Sequence, residues 1–299
     1  MNSTPAVFND AVSRLLDSRT VAICRDLSGL AGAIATQNYD LLGTRCVTFE
    51  NGQVVDNGIF SYYEPTIREG RSEALDNKSP RVVSTVLRVG ISSSCRPEDL
   101  KTLRSSLRRQ RVYVQLNSNI VAKEVQEFIK SIPVIYGLEI ACIVRSQEIL
   151  KTAQHVVEKN TLNVVTNYSF IQTFNTKMVL DLLKQEQCKQ VNVPELRRSV
   201  LYEIIEDWKV NAEKMVGKSL ITEMAAKDLL SVELFEQISV VVCTEEEKAA
   251  RDIYFPLVKA YFMGTTSTTL ISRNENGRAI YWDVREDNPI YNTLYLQFA

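Results

Sequence analysis

The stretch Arg111–Val144, RVYVQLNSNIVAKEVQEFIKSIPVIYGLEIACIV, decides how the rest of the chain is read. It opens on the alternation RVYVQL, the period of a strand. It passes into helical spacing through IVAKEVQEFIKSI and ends in a second apolar, β-rich run, VIYGLEIACIV. Strand, helix and strand in close succession are the unit of a sheet with helices laid against it.

The same alternation extends both ways. Upstream, RVVSTVLRVGI from Arg81 reads as a strand and Pro97 to Arg109 as a helix. Downstream, EILKTAQHVVEK from Glu148 reads as a helix and LNVVTNYSFI from Leu162 as a strand. Nearer the N-terminus, helical spacing over Pro5–Leu16 and Ser28–Leu42 precedes a short meander. Its turns are expected at Asn51-Gly52 and Asn57-Gly58, pairs that accept positive φ.

From Thr176 the pattern becomes one of amphipathic helices. The clearest runs from Pro194 to Gly217: Leu201, Ile205, Trp208, Ala212 and Met215 form its stripe and Gly217 its stop. Further helices are expected over Leu220–Leu230 and Thr244–Tyr261, the latter opened by a Thr244/Glu247 capping box. The C-terminal part returns to β structure, with a hairpin at Asn276-Gly277 and an alternating tail, PIYNTLYLQFA. The expected class is therefore α+β: a central mixed sheet with flanking helices, then a helical region and a terminal β segment. Composition divides the chain softly into 1–79, 80–175 and 176–299, with the polar Pro65–Pro80 segment as the first boundary. No internal repeat is legible.

Among 299 residues with a net charge of -1, one region is polarised. Arg68 to Arg111 holds eleven basic residues against five acidic, nine of the eleven being arginine, so the remainder of the chain is net acidic. Arginine suits bidentate phosphate contact and stacking on bases. Arg81, Arg88, Arg96, Lys101, Arg104, Arg108, Arg109 and Arg111, with Tyr113 as a stacking surface and Tyr62 and Tyr63 nearby, form the candidate nucleic-acid site. The competing reading is a solvated helix face. Leu100, Leu103 and Leu107 would dock the helix, while Glu98 and Asp99 in its first turn and arginines in its last suit the helix dipole.

No catalytic constellation stands out. The single histidine, His155, points away from the apolar face of its helix, which argues against Ser/His or Cys/His chemistry. Val216–Ser219, VGKS, lacks the first glycine and the preceding strand of a phosphate loop. The six cysteines are scattered without a C-x-x-C pair, so no metal site and no cofactor is expected. Several sit in apolar runs, as reduced thiols do, which suits a cytoplasmic setting. The N-terminal residues lack the basic start and apolar block of a signal peptide, and no apolar run is long enough to span a membrane.

An apolar terminal strand has to pair with its own sheet or with a neighbour's. Ile290, Leu294, Leu296 and Phe298 are accordingly the candidate oligomerisation residues. Together these features lead to the expectation of a non-enzymatic, self-associating protein that binds single-stranded RNA, as in a viral or ribonucleoprotein assembly. The alternatives are a structural or adaptor protein without nucleic acid, and a carboxylate-metal phosphodiesterase using acids such as Glu203, Glu206 and Asp207.

Overall fold

In the computed structural model of the chain, Arg111–Leu116 forms strand β4, as its alternation requires. Val112, Val114 and Leu116 are 1–2% exposed. The structure describes residues 24, 27, 29–40, 42–61, 81–90, 95–107, 110–118, 120–141, 146–167, 176–193, 196–225, 241–247, 249, 267–285 and 291–299. It divides into two compact units, residues 1–135 and 136–299.

In the first unit, helix α1 (Leu30–Asp40) leads into the hairpin β1 (Leu42–Glu50) and β2 (Gln53–Ser61). The expected turn is present: Asn51 has φ 48° and Gly52 φ 78°. Asn57-Gly58 is not a second turn. Gly58, at φ 97°, lies within β2, where Asn57 and Gly58 together oppose the single residue between Arg45 and Val47. The pair makes a β-bulge, so the same positive-φ chemistry bends an edge strand instead of reversing it. Strand β3 (Arg81–Val89) pairs in parallel with both β1 and β4, and the strand order is β2-β1-β3-β4.

Helix α2 (Pro97–Ser106) crosses from β3 to β4, and α3 (Lys123–Ser131) follows β4. Both cover the face that bears Arg45, Val47, Phe49, Leu87 and Val114. Arg45 Nη1 donates to Ser106 Oγ at 3.0 Å, and the Phe49 and Phe128 rings lie 5.8 Å apart. Leu103 and Leu107 of the expected docking stripe are buried.

The second unit is built on a period. Strands β5 (Gly137–Ile140), β6 (Val164–Asn167), β7 (Gln190–Val193) and β8 (Lys218–Ala225) are parallel and adjacent in chain order. Between them run helices α4 (Gln147–Glu158), α5 (Thr176–Lys184) and α6 (Arg198–Met215). Gly137, Val164, Gln190 and Ser219 are register partners, so the repeat is 27, 26 and 29 residues long. β3 and β4 of the first unit are offset by a similar 27 residues, Ser84 facing Arg111.

Right-handed crossovers taken always in one direction place α4, α5 and α6 on the same side of β5 to β8. The inward positions agree. Leu138, Val165, Val191 and Leu220 are at most 2% exposed, and Ile140, Asn167, Val193 and Thr222 at most 5%. Main-chain bonds from Asn163 N to Tyr136 O, Lys189 N to Asn163 O and Ser219 N to Lys189 O extend the ladder ahead of each strand.

Beyond β8 the sheet turns antiparallel, in the order β8-β12-β11-β10-β9, with β9 at Val241–Val242, β10 at Ser267–Arg273, β11 at Ala279–Arg285 and β12 at Tyr291–Phe298. The expected hairpin at Asn276-Gly277 joins β10 to β11, with Gly277 at φ 77°. The capping box also forms: Thr244 N donates to Glu247 Oε2 at 2.9 Å and Glu247 N to Thr244 Oγ1 at 3.2 Å. The Thr244 amide, helped by Arg273, holds the Glu247 carboxyl below its ordinary range.

The α+β class and the mixed sheet stand. Besides the Asn57-Gly58 turn, two details of the reading do not. Leu220 to Ala225 is strand, not helix: β8 is bonded on one side to β7 and on the other to β12, and pairing on both edges overrides a helix-like composition. A repeat exists where none was legible. The part of the expected Leu220–Leu230 helix beyond residue 225 lies outside the described residues, as do residues 1–23 and 250–266.

Gly217 ends α6 at φ 75° and donates from its amide to Phe298 O at 2.8 Å. Nothing lies within 4 Å of where a Cβ would stand, so the strain of a side chain there is purely conformational. Gly217→Ala is expected to lower stability by about 1 kcal/mol, seen as a lower urea midpoint with an unchanged m-value.

Candidate functional site

Opposite α4, α5 and α6, strands β5 to β7 present a second set of side chains. In the second unit the outward residues of β5 to β7 are Gly137 and Glu139, Val164 and Thr166, and Gln190 and Asn192, side by side in register. Glu139, Thr166, Gln190 and Asn192 are half-buried, while the inward residues beside them are sealed. These four side chains offer hydrogen-bond donors and acceptors, and none of the six outward residues is a cation.

The same face closes toward the antiparallel strands. There Ile221, Tyr295 and Tyr281 are 5–7% exposed. Asp283, 1% exposed, accepts from Thr269 Oγ1 at 2.7 Å and from Gln297 Nε2 at 3.0 Å. This bonded group ties β10, β11 and β12 together and has no open approach.

Among the described residues, the cations of the arginine-rich segment lie on two surfaces. Arg88 and Arg111 share the sheet face of β3 and β4 that carries Thr48 and Gln115, opposite the face under α2 and α3. Arg88 is exposed and Arg111 half-buried. Arg96, Lys101 and Arg104 are exposed on or just before α2, on the helix side, and make no ion pair among the described residues. Tyr113 is 6% exposed, so its ring cannot serve as the stacking platform expected of it. The side chain of Arg81, and Arg108, Arg109, Tyr62 and Tyr63, lie outside the described residues.

The terminal strand is likewise not a free arm. Leu294, Leu296 and Phe298 are fully buried, and β12 is bonded to β8 on one side and β11 on the other. Of the two ways to pair an apolar tail, the structure takes the one within the chain; Ile290 lies outside the described residues.

The remaining candidates resolve into structure. His155 is exposed, as its place opposite Ile149, Ala153, Val156 and Val157 requires. Asp207 is paired with Lys184 at 2.7 Å and Glu206 with Lys209 at 2.6 Å. Among the described residues, no group of three or more Cys, His, Asp or Glu comes together as a metal site, and no helix is long and apolar enough to cross a membrane.

Sequence reasoning missed the outward row of β5 to β7, because its strands are four residues long and give only two outward positions each. The signal that marks it is the spacing: Glu139, Thr166 and Asn192 fall 27 and 26 residues apart.

No protein-family model and no curated protein matches the chain. Among solved structures, the chain is similar to an uncharacterized protein from Listeria monocytogenes serotype 4b. The identity is 12%, 67% of this chain and 66% of that one are covered, and the TM-score is 0.21. The chain thus spans just under two thirds of that protein, and a likeness of this size bears on neither fold nor function.

Proposed function

We propose that the protein is a non-enzymatic interaction module that binds a partner protein on the face of β5 to β7 opposite α4, α5 and α6. The observation that supports this most directly is the uncharged, hydrogen-bonding row Thr166, Gln190 and Asn192, with Glu139 at its edge, on a one-sided βα repeat. In period and in its single helix layer, that repeat resembles the leucine-rich class of solenoids, whose open sheet faces are extended binding surfaces. The sequential strand order also has no reversal within β5 to β8, so it lacks the switch-point crevice in which doubly wound sheets hold small ligands. This is the adaptor reading of the sequence, now with a surface.

Single-stranded RNA is the second reading. It is favoured by Arg96, Lys101 and Arg104, exposed on or just before α2 and without an ion pair among the described residues. A reducing, cytosolic setting belongs to the same proposal, since Cys46 and Cys188 are buried free thiols.

Site-specific photo-cross-linkers test the first reading in the cell of origin. Placed at Thr166 and Asn192, they are expected to trap a discrete protein partner. Placed at Gln154 on exposed α4, they are expected to trap none. Equal trapping at all three, or trapping of RNA at the sheet positions, would overturn the assignment.

A further inference from the structure

The first unit holds a surface of a different kind. Between α2 and α3 lies a groove of about 420 Å³, floored by Pro97, Leu100 and Phe128. One wall is Lys101 and Arg104 of α2; the other is Glu124 and Glu127 of α3. Phe128 is held from below by Phe49, and Leu103 and Leu107 anchor α2, so the groove is carried by a packed core.

Its charges are unequally satisfied. Glu127 is paired with Lys130 at 2.9 Å, whereas Lys101 and Arg104 are both exposed and have no carboxylate partner among the described residues. Glu124 is likewise exposed and without an ion pair among the described residues, so the groove keeps two unmatched cations against one unmatched carboxylate beside its apolar floor.

We infer that this groove docks an acidic, amphipathic segment of a protein partner, with an apolar side chain over Leu100 and Phe128 and carboxylates against Lys101 and Arg104. Charge complementarity selects the occupant. A ribose-phosphate backbone laid in the groove would meet Glu124 and Glu127 on the facing wall, and like charges juxtaposed across an interface are costly. A peptide can place its acids on the α2 side only. Its apolar stripe, at i, i+3, i+4 and i+7, also suits a groove between two helices. The inference uses residues of the first unit alone and stands apart from the sheet-face reading.

Fluorescence anisotropy with the full chain tests it. The probes are a fluorescein-labelled peptide with leucines at that spacing and glutamates between, the same peptide with lysines for glutamates, and labelled oligouridylate. The glutamate peptide is expected to bind at least about tenfold tighter than the lysine peptide, a preference of the size charge pairs give. The double variant Lys101→Glu/Arg104→Glu, at exposed positions that leave the fold intact by circular dichroism, is expected to reverse that order.

Failure of the glutamate peptide to saturate, or a preference that survives the double reversal, would refute the groove as its dock. Tighter, steeply salt-dependent binding of oligouridylate that is lost in the same variant would instead assign the two cations to nucleic acid.

Discussion

Trp208→Ala is expected to lower the stability of the second unit by about 3–5 kcal/mol, at the upper end of what one core substitution does. Trp208 is 1% exposed on α6, in a stripe with Leu201, Ile204, Ile205, Ala212 and Met215, and α6 packs on α5. The cost combines lost transfer free energy with the cavity left where neighbours cannot collapse. One observation refines the expectation. The indole Nε1 of Trp208 is buried with no hydrogen-bond partner among the described residues, and an unmet buried donor costs about 1–3 kcal/mol. Trp208→Phe removes that donor together with part of the ring, so it is expected to cost markedly less than Trp208→Ala. Denaturation followed by far-ultraviolet circular dichroism compares the two. Equal losses in both variants would mean that the ring is not the keystone of this layer.

The stripe that makes this argument possible was legible in the sequence, and the reason is length. Over the eighteen residues of α6 the apolar spacing repeats often enough to stand out. The same is true of β4, where six residues alternate, and of the Asn51-Gly52 and Asn276-Gly277 turns, where backbone chemistry leaves few choices. β7 was lost for the opposite reason: QVNV is four residues long, so its alternation runs through only two buried valines. β8 was read as helix because Leu220, Ile221 and Met224 suit either element, and only its pairing with β7 and β12 decides.

The repeat itself is a property of geometry more than of identity. Its inward columns read Leu138, Val165, Val191, Leu220 and Ile140, Asn167, Val193, Thr222, so chemistry changes while position holds. Asn167 and Thr222 occupy apolar places, and Thr222 does so by accepting the Leu196 amide at 3.0 Å.

The described cations of Arg68–Arg111 are split between two surfaces for a related reason. A strand, helix and strand close in sequence put their residues on two opposite faces of one sheet. Arg88 and Arg111 therefore part from Lys101 and Arg104, however near they stand in the chain.

Lys218 shows how a rejected motif can still matter. As the lysine of VGKS it belongs to no phosphate loop; it is the first residue of β8, 3% exposed, with its Nζ donating to Leu183 O at 2.7 Å and Gln185 O at 2.6 Å. It closes the C-terminal end of α5, where helix carbonyls lack partners. Burial pushes its pKa down from 10.5 to about 8, and burial pushes the thiol of Cys188, 1% exposed, up from 9.0 to about 11.

The consequences for stability have opposite signs. Between pH 8 and 10.5 the unfolded chain holds a proton on Lys218 that the folded chain has lost, so stability rises with pH. Between pH 9 and 11 the folded chain holds a thiol proton that the unfolded chain has lost, so stability falls. Stability is therefore expected to climb by about 1 kcal/mol from pH 8 to 9 and to level off up to pH 10.5, where the two effects oppose each other. Above that, up to pH 11, it declines.

Two variants take the curve apart. Cys188→Ala removes the fall, and the climb continues to pH 10.5, reaching about 3 kcal/mol in all. Lys218→Met removes the climb, and stability drops from pH 9 onward. Urea titrations at half-unit pH steps read all three curves. A wild-type profile flat from pH 8 to 9, or a climb that persists in Lys218→Met, would show that Lys218 keeps its charge against the α5 carbonyls and is held there as an ammonium.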